Sequence, residues 1–358
     1  MNTRKALLSW DHKDCRDPCP QQNRNTFRVK PTHPYPRPLP ARDGTGIASH
    51  AGGILLTETI RATGLDTHLT RAQTRWHKPR ARHHPAKTCT DLALAVALGG
   101  DHLSDTALLR HDRDLYGTVA SDPTVSRTIA ALAARPEAAI DAIRTARAHA
   151  RRRAWALAGT TAPPDGQGRL IIDIDATLLT AHSDKEGAAP TWKHTSGFHP
   201  LCAFVDHGRA GTGEPLAVLL RPGNAAANTA ADHITVTAAA LRQLPAAHRR
   251  GRKTLVRTDS GGGTRAFLAW LTKRGRWLSY SVGMTITEPV QAAIDLVPAT
   301  AWTPAYDADG QVRPGAFLAE VTDLADRSGW PAGMRLIVRK EPPIPERRYA
   351  PPTPTATG

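Results

Sequence analysis

Two aspartates stand where carboxylates can do chemistry. Asp175 closes the apolar run Leu170-Ile171-Ile172-Asp173-Ile174-Asp175 and is followed by Ala176-Thr177. Asp259 closes a second run, Leu255-Val256-Arg257-Thr258-Asp259, and is followed by Ser260 and three glycines. Each run reads as a strand that delivers a carboxylate at its C-terminal end, where open α/β sheets place ligand sites. If the two strands are parallel neighbours, the carboxylates converge. Convergent carboxylates repel each other and favour a hard divalent cation such as Mg²⁺ or Mn²⁺, which takes oxygen ligands. Two such ions about 3.5–4 Å apart activate an attacking oxygen and stabilise a leaving one. Strand alternation puts Asp173 on the same face as Asp175, so it is a third candidate ligand. Either end-of-strand aspartate alone would serve equally well as a cap. The matched pair is what points to a metal site.

The elements that must position these acids begin near residue 168. A strand over 168–175 is followed by a loop carrying Lys185, Lys193 and His194. Short apolar runs follow at 201–205 and 215–220, and Asn228-Thr229 caps a helix with Ile234, Ala238 and Leu241 on one face. A strand over 253–258, a helix over 264–274 and a strand over 277–282 close the set. Tight β connections followed by βαβ units describe an α/β protein with a mixed sheet. Residues 284–340 read as strand-rich, with Asp307-Ala308-Asp309-Gly310 as a hairpin turn.

The N-terminal half has a different rhythm. Residues 50–74 read as helical, and a basic stretch follows in which Arg80 and Arg82 offer phosphate contacts. Thr90-Asp91 can cap a helix ending at Gly99-Gly100, 103–109 makes a second, and Ser121-Asp122-Pro123 starts a third that exposes Ser126 and Arg127. The pattern fits a helix-turn-helix or an ordinary helical bundle. A long Ala/Arg helix over 136–158 ends near Gly159, where a domain boundary is expected.

Charge and composition narrow the partners. Lys and Arg total 47 against 32 Asp and Glu in 358 residues, a formal charge of +15. That surplus favours a polyanionic partner, or it is a solvated basic surface. No apolar run approaches the ~20 residues of a membrane span, so no membrane partner is expected. No apolar leader opens the chain, and four cysteines are too few for a disulfide scaffold, so a cytoplasmic location is expected. His12, Cys15 and Cys19 lack a second ligand pair at zinc-finger spacing.

In order and spacing the chain resembles the DDE transposases with a ribonuclease-H-like core, and most closely the thirteen-eighty group of bacterial insertion sequences. The match is carried by Asp173-Ile174-Asp175-Ala176-Thr177, Gly197-Phe198-His199-Pro200-Leu201 and Gly213-Glu214-Pro215-Leu216-Ala217. Arg221-Pro222-Gly223-Asn224, Asn228-Thr229, Asp232-His233, Arg257-Thr258-Asp259, Leu278-Ser279-Tyr280-Ser281-Val282-Gly283 and Arg335-Leu336-Ile337-Val338-Arg339-Lys340-Glu341 extend it. The resemblance implies metal-dependent cleavage at element ends and joining of a 3′ hydroxyl to target DNA. Asp175 takes the part of the first acid, Asp259 the second, and Asp173 is the fallback for the first. Arg221, Asn224 and His233 would position DNA or loops.

The expected organisation is a disordered basic segment over 1–45, a helical DNA-binding region over 46–160, a ribonuclease-H-like core over 161–283, the start of a β-rich insertion over 284–341 and a disordered tail over 342–358. The expected DNA contacts are Arg80, Arg82, Ser126, Arg127, Lys193 and Arg221. The expected partners are terminal inverted repeats and target DNA, bound by a homodimer in the nucleoid. The family's third acid is a glutamate on a late helix. Here the chain runs into Pro342-Pro343-Ile344-Pro345, and Glu320, Glu341 and Glu346 sit on no clear helix. The expectation is therefore a C-terminally truncated transposase with impaired activity. The alternative is a non-catalytic DNA-binding fragment that competes with the intact enzyme at element ends.

Overall fold

The computed structural model describes residues 33–38, 50–159, 162–163, 169–181, 184–208, 213–249, 253–274, 277–307 and 309–342. The chain divides into two compact units, Met1–Pro163 with Leu241–His248, and Pro164–Ala240 with Arg249–Gly358. The tail expected over 342–358 apart from Pro342, almost all of the segment expected over 1–45, and His12, Cys15, Cys19 and Glu346 lie outside the described residues.

The first unit is helical. Its elements are α1 (Gly53–Thr63), α2 (Leu65–Ala72), α3 (Pro85–Ala97), α4 (Ala107–His111), α5 (Arg113–Tyr116), α6 (Asp122–Ala133) and α7 (Pro136–Ala158). The single helical stretch expected over 50–74 is two helices, broken at Gly64. The helix expected to be capped at Thr90-Asp91 starts at Pro85 instead, with the His84 side chain accepting from the Ala86 N–H. Proline suits the first turn because its missing N–H is one that has no helical partner there. Thr90 and Asp91 are then buried inside the helix. Thr90 donates to the Ala86 carbonyl at 2.6 Å, and Asp91 pairs with Lys87 one turn earlier at 2.5 Å.

Ile60, Leu94, Leu109, Leu115 and Tyr116 form one core of this unit, and Tyr35 belongs to it. Within the segment expected to be unstructured, Tyr35 is thus 4 % exposed. Its hydroxyl donates to Asp91 at 3.0 Å, and Arg61 donates to the carbonyls of Tyr35 and Pro36. Burying one large apolar side chain contributes about 1.5–3 kcal/mol towards holding this short strap in place.

The second unit is built on a five-stranded mixed sheet. Its strands are β1 (Leu170–Ala176), β5 (Leu201–Asp206), β6 (Glu214–Leu219), β7 (Thr254–Thr258) and β8 (Leu278–Val282), in the order β6-β5-β1-β7-β8. β6, β5 and β1 are antiparallel neighbours, and β1, β7 and β8 are parallel. Parallel neighbours need crossovers, and α8 (Ala230–Gln243) and α9 (Arg265–Thr272) supply them. Leu170, Ile172 and Ile174 alternate into the interior, and Ala203, Val205, Val256 and Leu278 of the neighbouring strands and Val236, Phe267 and Leu271 of the helices are buried as well. This mixed α/β architecture is compatible with the expected ribonuclease-H-like core.

The loop expected after the first strand contains a small sheet. β2 (Leu179–Thr180) and β3 (Ala189–Pro190) flank β4 (Ser196–Phe198). Strands of two or three residues are too short to show an alternation in sequence. Beyond β8, the stretch expected to be strand-rich opens with a helix, α10 (Glu288–Asp295). β9 (Thr303–Tyr306), β10 (Val312–Glu320) and β11 (Ile337–Lys340) then pair in the order β11-β10-β9. Ala293 of α10 packs with Ala319, Val321 and Val338, which gives this sheet its own core. The 306–312 hairpin turns at Asp307, whose N–H donates to Gln311 and whose carbonyl accepts from Gly310.

Candidate active site

The register of β1 on β7 decides where the acids fall. Ile172 lies opposite Val256 and Ile174 opposite Thr258, both strands running the same way. The next residue on each is Asp175 and Asp259. Equivalent positions on neighbouring parallel strands share a face and lie roughly 4.8 Å apart along the hydrogen-bonding direction. Both aspartates are exposed. Asp175 uses one oxygen to accept from the Ala176 N–H at 2.8 Å, and Asp259 uses one to accept from the Gly261 N–H at 2.9 Å. The second oxygen of each has no hydrogen bond among the described residues.

The Asp259 end is held from two directions. The Gly283 N–H at the end of β8 donates to the Thr258 carbonyl at 3.0 Å. A Cβ on Gly283 would come within 2.8 Å of the Asp259 carbonyl carbon and the Ser260 nitrogen, so only glycine permits this approach. The Ala227 carbonyl abuts Gly261 from the loop between β6 and α8. That loop is gathered by Arg221, which is 4 % exposed. Its guanidinium donates to the carbonyls of His199 and Ala226 and to Asp232 at 3.2 Å. His199 and His233 are also buried, and their ring nitrogens meet the carbonyls of Ala225 and Thr229. These side chains hold backbone in place. Arg221, expected among the DNA contacts, is enclosed.

Asp173 lies on the same face but is committed elsewhere. Arg257 forms a bidentate pair with it at 2.6 and 2.7 Å and reaches Asp206 at 2.9 Å, tying β7, β1 and β5 together. These hydrogen bonds, Asp173's first, raise the Arg257 pKa. Cys202 faces Asp175 across the β1–β5 pair. Burial pushes its thiol up, and Asp175 adds to this while Arg221 opposes it. Cys202 itself is half-buried.

The glutamates weighed as a third acid are engaged in the smaller sheet. Glu320 on β10 takes a bidentate pair from Arg335, at 2.9 and 2.6 Å, and these bonds lower its pKa to about 2. Glu341 meets Arg339 at 3.0 Å and Arg313 at 3.3 Å. Among the described residues, no group of three or more His, Cys, Asp or Glu side chains is placed to hold a metal ion.

The expected DNA contacts are distributed over both units. Arg80 and Arg82 are exposed in the loop before α3, and Ser126 and Arg127 are exposed on α6. Arg110 fixes the entry to α6, donating to the Ala120 carbonyl at 2.9 Å and to Asp122 at 2.8 Å. Lys193 is exposed on the β3–β4 hairpin of the second unit.

The family model for transposase DDE domain group 1 matches residues 39–349, most of the chain. The chain belongs to this transposase family. No curated protein matches it. Membership makes transposition, a form of DNA recombination, its function and DNA its implied partner. DDE transposases in general use divalent metal ions. Among the described residues, no helix is long and apolar enough to cross a membrane.

Proposed function

We propose that this transposase belongs to the thirteen-eighty group of insertion sequences and that Asp175 and Asp259 are its first two catalytic acids. The observation carrying this reading is the β1–β7 register, with the two carboxylates next in line at adjacent strand ends. An exposed pair of carboxylates, each with an oxygen to spare, suits a hard cation such as Mg²⁺ or Mn²⁺. When bound, such an ion neutralises phosphoryl charge and lowers the pKa of water. The chain's own part is to hold the two carboxylates in register on a rigid sheet. The Asp259 turn, braced by Gly283 and by the loop that Arg221 gathers, keeps the second acid from swinging away.

Residues 46–160 act as the DNA-gripping region in this reading. Arg80 and Arg82 contact phosphates, and Ser126 and Arg127 approach the terminal inverted repeats and target DNA. Residues 284–341 begin the insertion. The protein works as a homodimer on DNA in the cytoplasm, associated with the nucleoid. Glu320 and Glu341 are both held by arginines, so neither is offered as the third acid.

The test is Mn²⁺ titration followed by electron paramagnetic resonance. Binding that disappears in both Asp175→Ala and Asp259→Ala supports the assignment. Unchanged affinity in both variants removes it. Supercoiled-plasmid cleavage by the same preparations then separates an impaired enzyme from a non-catalytic binder.

A further inference from the structure

The β3–β4 hairpin is a rigid projection with an unusual tip. The Thr191 N–H donates to the Thr195 carbonyl at 2.7 Å, and the His194 N–H donates to the Thr191 carbonyl at 3.0 Å. The hydroxyls of Thr191 and Thr195 meet at 2.7 Å. His194 has φ 58, the one positive-φ residue other than glycine among the described residues. A three-residue loop with a left-handed third residue is a standard way to close a hairpin, and it puts Trp192 and Lys193 at the outermost positions. Such positions favour Pro, Asp, Asn, Ser and Gly. Here one carries an indole that is 70 % exposed, with the Lys193 ammonium 5.0 Å from its ring centroid. The other described tryptophans are buried or half-buried.

The hairpin also grows from the end of the sheet that carries the acids. β4 runs into β5 through only His199 and Pro200, and Cys202 lies opposite Asp175. The Thr177 N–H donates to the Pro200 carbonyl, and Leu179 pairs with Phe198, so the β1–β5 ladder continues outward into the finger. From Cys202 to Trp192 the chain spans at most about 33 Å at ~3.3 Å per residue. The tip therefore stands within a few nucleotides' reach of a phosphodiester placed at Asp175.

We infer that Trp192, backed by Lys193, is a stacking platform for an unpaired nucleotide base next to the site of DNA cleavage. This rests on the proposed role of Asp175 and Asp259 for its location, and its chemistry can be tested apart from them. An indole takes any base on its π-face, and an adjacent ammonium meets the phosphate that follows. A rigid hairpin pays little ordering entropy when the base arrives.

The test compares anisotropy titrations of the full chain, in chelator, on a blunt duplex and on the same duplex with a short unpaired thymidine extension. The expected result is about a tenfold preference for the extended duplex. Trp192→Ala should lose that preference without a change in melting temperature, and Trp192→Phe should restore it. Equal affinity of the parent for both probes overturns the inference. So does a preference that survives Trp192→Ala, or a loss that is equal on both probes. Without metal, Asp175→Ala keeps the preference, so failure of the metal assignment and failure of the platform give different results.

Discussion

Of the four aspartates that share one face of the sheet, Asp173 and Asp206 are both bound to Arg257. Arg257 satisfies both oxygens of Asp173, while among the described residues Asp175 and Asp259 each keep one uncommitted. A carboxylate in a bidentate guanidinium pair must give up that pair to take a cation. Asp173→Ala is therefore expected to change Mn²⁺ affinity by less than about threefold, whereas Asp175→Ala abolishes it. Equal losses in the two variants, read by the same titration, would make Asp173 a ligand and Arg257 a displaceable lid. The two strand-end acids were legible in the sequence because each closes a short apolar run. The fate of Asp173 was not, since it depends on the register that sets it opposite Arg257. For Arg221, expected to position DNA or loops, the sequence left the choice open for a similar reason. Its type suggested a phosphate contact, but its neighbours are backbone carbonyls that only the folded loop brings to it.

At the scale of elements, the five core strands and both crossover helices follow the sequence reading closely, because apolar alternation and caps are local signals. The small sheet of β2, β3 and β4 lacked any such signal, and so did α10. What holds the small sheet to the core is close backbone approach. A Cβ on Gly223 would lie 2.2 Å from the Ala189 carbonyl oxygen and 2.5 Å from that of Gly197. Gly223→Ala is expected to detach β3 and the finger while leaving the five-stranded core folded. Hydrogen exchange should then quicken at Thr191 and Thr195 but not at Ile172. Unchanged exchange at the threonines would refute the argument.

In the helical unit, the late start predicted for α3 hid the buried Lys87–Asp91 pair. Burial pushes Asp91 up to about 6 from 3.8, against the opposing pull of Lys87 and Tyr35. Because the folded value is the higher one, the native chain keeps a proton that the unfolded chain has released. Its contribution is complete below 3.8 and is lost as the pH rises through 6. Glu58 in the same unit is lowered by its bond to Arg61, and its opposite slope lies below 4.5. Asp91→Asn should therefore gain stability relative to the parent as the pH is raised across that window. Urea unfolding midpoints that run parallel with pH in the two proteins would disprove the assignment.

On the scale of the whole molecule, the formal charge of +15 includes exposed cations of the helical unit that offer different readings of DNA. Arg80 and Arg82 sit in a loop, where a guanidinium can neutralise phosphate but has no fixed aim. Arg127 sits on α6, next to Ser126, on a helix whose entry is fixed by Arg110. A helix surface held this way can present a side chain to base edges in a groove. The two kinds of contact leave different marks on binding. Removing phosphate contacts weakens all sequences alike and flattens the salt dependence by about one unit of slope per cation. Removing a base contact erases discrimination worth about 1–3 kcal/mol at one position. The Arg80→Ala, Arg82→Ala double variant is accordingly expected to lose affinity equally for terminal inverted repeats and for scrambled DNA, with a salt slope lower by about two. Arg127→Ala is expected to lose affinity for the repeats only, measured by anisotropy over a salt series. If Arg127→Ala weakens both DNAs equally, α6 is one more phosphate-binding face, and the sequence preference of this transposase must come from elsewhere in the chain.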